Sequence, residues 1–390
     1  MAGSRTTADL VVVGLGAVGS ASLYQAARRG ARVVGLDRFA PPHDRGSSHG
    51  DTRITRQAIG EGEAYVPLAL RSHAIWDELE AATGARLIDR CGFLLMVRAD
   101  ADSSHHGKQG FFARTRRAAE RFGIAHETLD AAAIARRFPQ FGGLQGDEEC
   151  YFEPGGGQVF PERCIAVQLA EAERLGAGIR TGCQVLAVEP DGAGVRVCTA
   201  EGEILARRAI VAAGAWMPRL APALAPRLVV RRQALHWFDL PDDSAWRGEA
   251  PTYIWNRGAS PDLQFYGFPP ASGSGELKCA QEQYGESCDP DLMDRTVTAT
   301  EQALMYEQHV RGRLAGAGAN ARRSAACCYT VSPNGDFIVE QHPDSAAILL
   351  VSACSGHGFK HSAAMGEALA EAALGGGASQ LLEPFGYRAG

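Results

Sequence analysis

The chain has 390 residues, 45% of them hydrophobic and 22% charged, a size that fits two domains built around one or two large cores. Its net charge of −6 argues against nucleic acid as the main partner, because binding phosphates needs a basic field. There is no apolar h-region in MAGSRTTADL, no long uninterrupted apolar run and no CxxC pair among ten scattered cysteines. The reading is a cytoplasmic protein with reduced thiols, without an export signal or a membrane span.

The first predicted element is a strand, Leu10 to Val13, which runs straight into Gly14-Leu15-Gly16-Ala17-Val18-Gly19. A helix follows and ends at Gly30. A second apolar strand, Val33 to Leu36, finishes on Asp37, 23 residues after the first glycine. Each part serves a dinucleotide. Gly14 allows the tight turn, Gly16 lets backbone N–H groups approach a pyrophosphate, and Gly19 lets helix and strand pack closely. The helix N-terminus attracts the phosphates, and Asp37 accepts hydrogen bonds from the adenosine ribose. The glycine string alone is a weak signal; with strand, helix, strand and acid in this order it marks a dinucleotide site.

A loop rich in Pro, Gly and Ser, FAPPHDRGSSHGDTR, leads into an amphipathic helix over Tyr65–Leu79 that ends near Gly84. Arg86 to Val97 reads as strand. Residues 101–147 carry helical patterns and little chemistry. Glu148 to Pro161 is a turn-rich return, followed by a helix over Pro161–Leu175 and a hairpin around Asp191-Gly192. Ala209 to Trp216 is an apolar strand ending in a glycine turn at Gly214, suited to bring backbone close to the same cofactor. From Leu228 to Leu292 the pattern changes to alternating strands, as in an antiparallel sheet. Met293 to Leu314 returns to helix, Ser324 to Phe337 is strand and turn, and Ala347 to Ala353 is a buried strand. The last helix runs from Gly358 to Leu374, before a glycine stretch and the tail. The fold class is α/β plus α+β: an interrupted Rossmann-type nucleotide domain (1–90, 148–220, 325–390) with an inserted, mostly antiparallel sheet domain (91–147, 221–324).

The 39 basic residues include only three lysines, Lys108, Lys278 and Lys360. Under so strong an arginine bias, a position that stays lysine asks for a compact ammonium rather than a planar guanidinium. Lys278 lies on a strand whose neighbours Leu277 and Cys279 point to the other face, and a lysine on a buried face needs a reason. His49 and His357 lie in glycine turns without a third ligand at metal spacing, so no metal is expected.

Three further strings carry a resemblance. Gly46-Ser47-Ser48-His49-Gly50-Asp51-Thr52-Arg53-Ile54-Thr55-Arg56, the pair Cys327 and Tyr329-Thr330, and Ser355-Gly356-His357-Gly358-Phe359-Lys360 follow the glycine fingerprint in order. Together they resemble the monomeric sarcosine oxidase and N-methyltryptophan oxidase family over essentially the full length. The resemblance implies FAD, oxidation of a secondary amino acid to an imine, and release of hydrogen peroxide. It implies that Arg56 and Lys360 anchor the substrate carboxylate, that Arg53 sits at the flavin face, and that Gly356 offers a carbonyl near the amine. Lys278 becomes the lysine that promotes reaction of reduced flavin with oxygen, and Tyr266 an active-site tyrosine. The FAD-binding set takes in Ala17, Val18, Ser47, Ser48, His49, Thr52, Val185, Gly214, Gly358 and Phe359 as well. Either Cys327 or Cys328 has the thiol chemistry for a covalent flavin link; the family's linking cysteine lies two before the tyrosine, which selects Cys327.

Two positions depart from the family pattern. Glu282 stands four residues after Lys278, where a histidine is usual, and Gln57 follows Arg56, where a histidine is common. Glu282 either raises the pKa of a nearby amine or holds a cationic or polar substrate side chain. The expected protein is an amine oxidase, monomeric or a small homo-oligomer, with a small N-methyl or cyclic amino acid and O2 as partners. Its rivals are a flavin dehydrogenase that passes electrons to a quinone or carrier protein, an NAD-dependent dehydrogenase, and a non-catalytic flavin-binding protein.

Overall fold

The computed structural model describes residues 6–98, 105–271, 273–285, 287–375 and 380–388. The first five residues of the leader reading, residues 101–104 of the stretch read as helical, and residues 376–379 of the glycine stretch lie outside the described residues.

The first large sheet is centred on Thr6–Val13, which pairs in parallel with Val33–Leu36 on one side and Gly202–Val211 on the other. Leu10 to Val13 are all buried, as expected for a central parallel strand covered on both faces. Gly178–Arg180 extends the sheet beyond Val33–Leu36. The strand Gly202–Val211 shares one edge between two partners. Its first half pairs antiparallel with Gly194–Thr199, and Ala209 to Val211 pair in parallel with Ser345–Ser352. The helix Ala17–Arg28 packs against both Pro161–Arg174 and Ser362–Leu374. Its contact with the last helix is intimate: a Cβ on Gly366 would come within 2.4 Å of the Ala21 Cβ, so only glycine lets the two backbones approach this closely.

The second large sheet runs Ala321–Val331, Val229–Asp239, Glu276–Ala280, Gln264–Gly267, Thr252–Asn256, Phe93–Arg98, Glu148–Glu153, Glu127–Asp130. Every neighbouring pair is antiparallel except Phe93–Arg98 with Thr252–Asn256. Glu148–Glu153 and Ala321–Val331 both pair within this sheet, whereas the sequence reading put 148–220 and 325–390 in the nucleotide domain. A three-stranded sheet of Arg53–Thr55, Gly157–Val159 and Ile88–Asp89 carries Arg53.

Two elements differ from their sequence reading. The strand expected over Arg86–Val97 breaks at Gly92, whose φ of +91° interrupts it between Ile88–Asp89 and Phe93–Arg98. The helix expected from Met293 begins only at Ala299, where the Thr298 hydroxyl and the Glu301 carboxylate form a reciprocal capping box. Among the described residues no helix is long and apolar enough to cross a membrane.

Candidate active site

A cleft of about 320 Å³ opens along the carboxyl ends of the first sheet's parallel strands. Its lining includes Gly14, Gly16, Ala17, Val18 and Asp37, then Ser47, Ser48 and Arg53, Val185 and Gly214, and Gly356, Gly358 and Phe359. The glycines behave as a dinucleotide turn requires. Gly14 has φ +85°, and a Cβ there would lie 2.6 Å from the Ala212 carbonyl oxygen. Gly16 would meet nothing within 4 Å, which leaves its approach open for a pyrophosphate. Gly19 faces away from the cleft and seats the helix, since a Cβ there would fall 1.7 Å from the Gly14 oxygen. Asp37 fixes the turn by accepting from the Leu15 and Phe39 backbone N–H groups, each at 2.8 Å. This donor and glycine set fits a dinucleotide.

Of the other residues expected at the cofactor, His49, Thr52, Cys327 and Lys360 are not among the cleft-lining residues. His49 is buried, and burial, followed by the nearby Arg53 charge, pushes its pKa down to about 3. Cys327 is fully buried with Leu235, Trp237, Ala280 and Tyr329. Cys328 faces the opposite side of the strand, with Ala215, Val230, Met293 and Ala326. Two thiols do line the cleft, Cys183 and Cys354, and sequence reasoning passed over both. Burial pushes the Cys327 thiol up, and the Arg53 guanidinium opposes that shift.

Arg53 braces the loop before it. Nη1 donates to the Thr52 carbonyl at 2.9 Å and Nη2 to the Ser47 carbonyl at 2.7 Å. Lys278 reaches the same loop from the second sheet, with Nζ donating to the carbonyls of Gly50 at 2.5 Å and Thr52 at 2.7 Å. It also lies over the Phe268 ring at 4.3 Å and the Trp237 ring at 5.4 Å. Burial, then the Arg53 charge, holds its pKa well below the usual ammonium range. Trp255 belongs to the core of the second sheet.

A chain of buried charges lies beyond Gly356. Arg56 is 1% exposed, and its Nη2 donates to both Glu61 oxygens at 2.9 and 2.8 Å. The fork expected to grip a substrate carboxylate is thus closed on the protein's own Glu61 in this structure. Its guanidinium also lies over the rings of Phe93 and Phe111, at 5.3 and 5.0 Å. Glu61 Oε1 lies 3.1 Å from His106 Nδ1 and 4.0 Å from Lys360 Nζ. The other ring nitrogen of His106, Nε2, lies 2.8 Å from Glu282 Oε1, and the Tyr284 hydroxyl donates to Glu282 Oε2 at 2.7 Å. Burial works against charge on His106, but the two carboxylates outweigh it and hold its pKa up at about 9. Glu282 is correspondingly low, about 2, because the His106 charge overcomes its burial. The ligand atoms of His105, His106 and Glu282 lie within 4.8 Å of one another. Carboxylates already occupy both His106 nitrogens, so hydrogen bonds satisfy this group without an ion.

Lys360 Nζ donates to the His357 carbonyl at 2.8 Å. Burial first, relieved by Glu61, pushes its pKa down to about 7. Gln57 turns away from the charges: its backbone N–H donates to Glu153 at 2.6 Å, and its side-chain oxygen lies 3.2 Å from the Cβ position of Gly155. A second chamber, about 290 Å³, lies beside the charge chain and is lined by His105, His106, Gln264, Tyr266, Glu282 and Tyr284 among others. Sequence reading placed Tyr266 and Glu282 at the site but missed Glu61, His105, His106 and Tyr284. The His-His pair falls in the stretch read as carrying little chemistry.

Comparison with known proteins agrees with this architecture. A family model described as FAD dependent oxidoreductase matches residues 9–372. The chain is 36% identical over 374 residues to the monomeric sarcosine oxidase of Streptomyces avermitilis, covering 95% of this chain and 94% of that one. It is 34% identical over 364 residues to the N-methyl-L-tryptophan oxidase of Yersinia pestis, covering 93% and 94%. The solved open form of NikD, an unusual amino acid oxidase essential for nikkomycin biosynthesis, superposes with a TM-score of 0.85 at 24% identity, covering 98% of this chain and 97% of that one, and shows the shared fold. The glycine turn that opens the first helix, the cleft it borders and a match that runs nearly end to end make this protein a member of the DAO family of FAD-dependent oxidoreductases.

Proposed function

We propose that the protein oxidises a small secondary amino acid, N-methyl or cyclic, to its imine, with O2 as the electron acceptor and H2O2 as the product. Bound FAD supplies the two-electron acceptor. The residues that would hold it are Gly14, Gly16 and Asp37 at the nucleotide end, Ser47, Ser48 and Arg53 in the middle, and Gly356 to Phe359 at the far end.

The observation that carries this reading is the position of Lys360. It is a buried lysine beside Gly358 and Phe359 of the cleft wall, and its nearest carboxylate, Glu61, is engaged by Arg56. An incoming amino-acid carboxylate supplies the counter-charge that Lys360 lacks, and Arg56 adds positive potential from the far side of Glu61. That fixes which carbon of the substrate faces the cleft. In this reading Lys278, fixed and desolvated against the loop that borders the cleft, supplies the cation that stabilises the negative charge developing as oxygen is reduced. The names of the relatives, sarcosine oxidase and N-methyl-L-tryptophan oxidase, support an N-methyl amino acid as substrate. We assign a covalent flavin link to Cys327, two residues before Tyr329; burial raises its thiol pKa, and the Arg53 charge offsets that only in part.

The deciding experiment mixes purified holoprotein anaerobically with sarcosine, other N-methyl amino acids and cyclic imino acids, and follows flavin absorbance. The reading expects bleaching by at least one, then recovery in air with one H2O2 per turnover. Bleaching without peroxide on re-aeration would shift the assignment to a dehydrogenase with another acceptor.

A further inference from the structure

We propose that the chamber beside Glu282 is the subsite for the substrate's side chain, and that it selects amino acids whose side chain ends in a hydrogen-bond donor. His106 is the positioning residue that gives it this selectivity. The inference rests on the functional reading above, because it needs the substrate carboxylate to sit at Lys360.

The chamber and the dinucleotide cleft are separated by very little. Gly356 lines the cleft, and a Cβ placed on it would lie 2.9 Å from His106 Nε2 and 3.2 Å from Glu282 Oε1. The His106–Glu282 pair therefore forms the partition between the two spaces. A substrate held by its carboxylate near Lys360, with its reacting carbon toward the cleft, has this chamber as the adjoining space for its side chain.

The chemistry of the partition decides what that side chain is. The charges around it pair off within the protein: Arg56 with Glu61, and His106 with Glu282. His106 donates through both ring nitrogens, to Glu61 at 3.1 Å and to Glu282 at 2.8 Å, and so holds both carboxylates ionised and in place. Glu282 accepts from His106 on one oxygen and from Tyr284 on the other. An ionised carboxylate has about four lone-pair sites, so acceptor capacity remains on the chamber wall. An apolar side chain pressed against that wall would strip water from an ionised acceptor and return nothing. A hydroxyl, ammonium or guanidinium would satisfy it. A site built to bond a donor rejects the analogue that lacks one far better than an apolar pocket distinguishes methylene groups.

The test compares near-isosteric pairs by anaerobic flavin reduction: N-methylserine against N-methyl-2-aminobutyrate, and Nα-methyllysine against N-methyl-2-aminoheptanoate. The donor-bearing member of at least one pair is expected to have the higher kcat/KM by about tenfold or more. In Glu282→Gln and in His106→Gln that ratio should fall toward one, through KM more than through kcat. Two variants on opposite sides of the hydrogen bond guard against one of them failing to fold. Equal or better reduction by the apolar members, or a preference that survives in both variants, overturns the inference alone. If no secondary amino acid reduces the flavin, sarcosine included, the functional reading falls and takes the inference with it.

Discussion

The ammonium of Lys278 is bonded twice to Thr52, to its carbonyl oxygen at 2.7 Å and to its hydroxyl at 3.1 Å. A lysine of the second sheet thereby fastens the loop whose Ser47, Ser48 and Arg53 border the dinucleotide cleft. The second sheet is thus tied to the loop at the place where the chemistry is expected.

Replacing Lys278 by Met should separate the half-reactions. Reoxidation of reduced flavin by O2 is expected to slow by about 10²–10³-fold, the usual loss for a preorganised charge, while anaerobic reduction by substrate changes far less. Lys278→Arg should not restore the rate, because a planar fork cannot reproduce a point charge seated among carbonyls. Stopped-flow traces in which both half-reactions slow equally would defeat this assignment.

Lys360 predicts a pH dependence for carboxylate binding. In the free protein its pKa is lowered to about 7 by burial. Only the protonated form attracts an anion, so binding is strongest below that pH and weakens as pH rises through it. The slope should approach about tenfold per pH unit. A small carboxylic acid without an amine, titrated against flavin absorbance, isolates this effect from deprotonation of a substrate. Lys360→Met should bind weakly with no such slope. A wild-type affinity that is flat from about pH 6 to about pH 9 is incompatible with the proposed role.

Acid precipitation tests the flavin link. Wild type should keep its yellow colour in the pellet, as should Cys354→Ser, although Cys354 is one of two thiols on the cleft wall. Cys327→Ser should release it. Flavin that washes free from wild type would rule out covalent attachment, and flavin lost only from the Cys354 variant would move the link to that residue.

Two glycines of one turn should fail differently. Gly16→Ala meets no neighbour within 4 Å, so the fold should survive while FAD binding weakens, because the methyl intrudes on the pyrophosphate approach. Gly19→Ala drives a methyl into the Gly14 carbonyl and should cost about 1–3 kcal/mol of stability or more. Thermal unfolding and flavin content, measured on both, check the contrast; equal melting temperatures would contradict it.

The parts of this site legible in the sequence are those whose logic is local. Gly14 to Asp37 forms one contiguous unit, and Lys278 stands out through its rarity and its place in an alternating strand. Glu61, His106 and Glu282 form a unit only in space: His106 is 45 positions from Glu61 and 176 from Glu282. No periodicity links them, and a His-His pair in a loop has no distinctive pattern of its own. The late start of the helix at Ala299 was legible, since Thr298 and Glu301 have the spacing of a capping box, but the apolar pattern before them masked it. The place of Glu148–Glu153 in the second sheet was not, because Pro154-Gly155-Gly156 reads as a turn and hides the strand that precedes it.

The contact of Gly366 with Ala21 bears on how the protein matures. The phosphate-binding turn is made long before the helix Ser362–Leu374, against which the helix that follows the turn packs. A nascent polypeptide carries the turn without its backing, and the far wall of the cleft, Gly356 to Phe359, is still unsynthesised. Stable uptake of FAD is therefore expected only after both of these segments exist, because one cleft takes its walls from both.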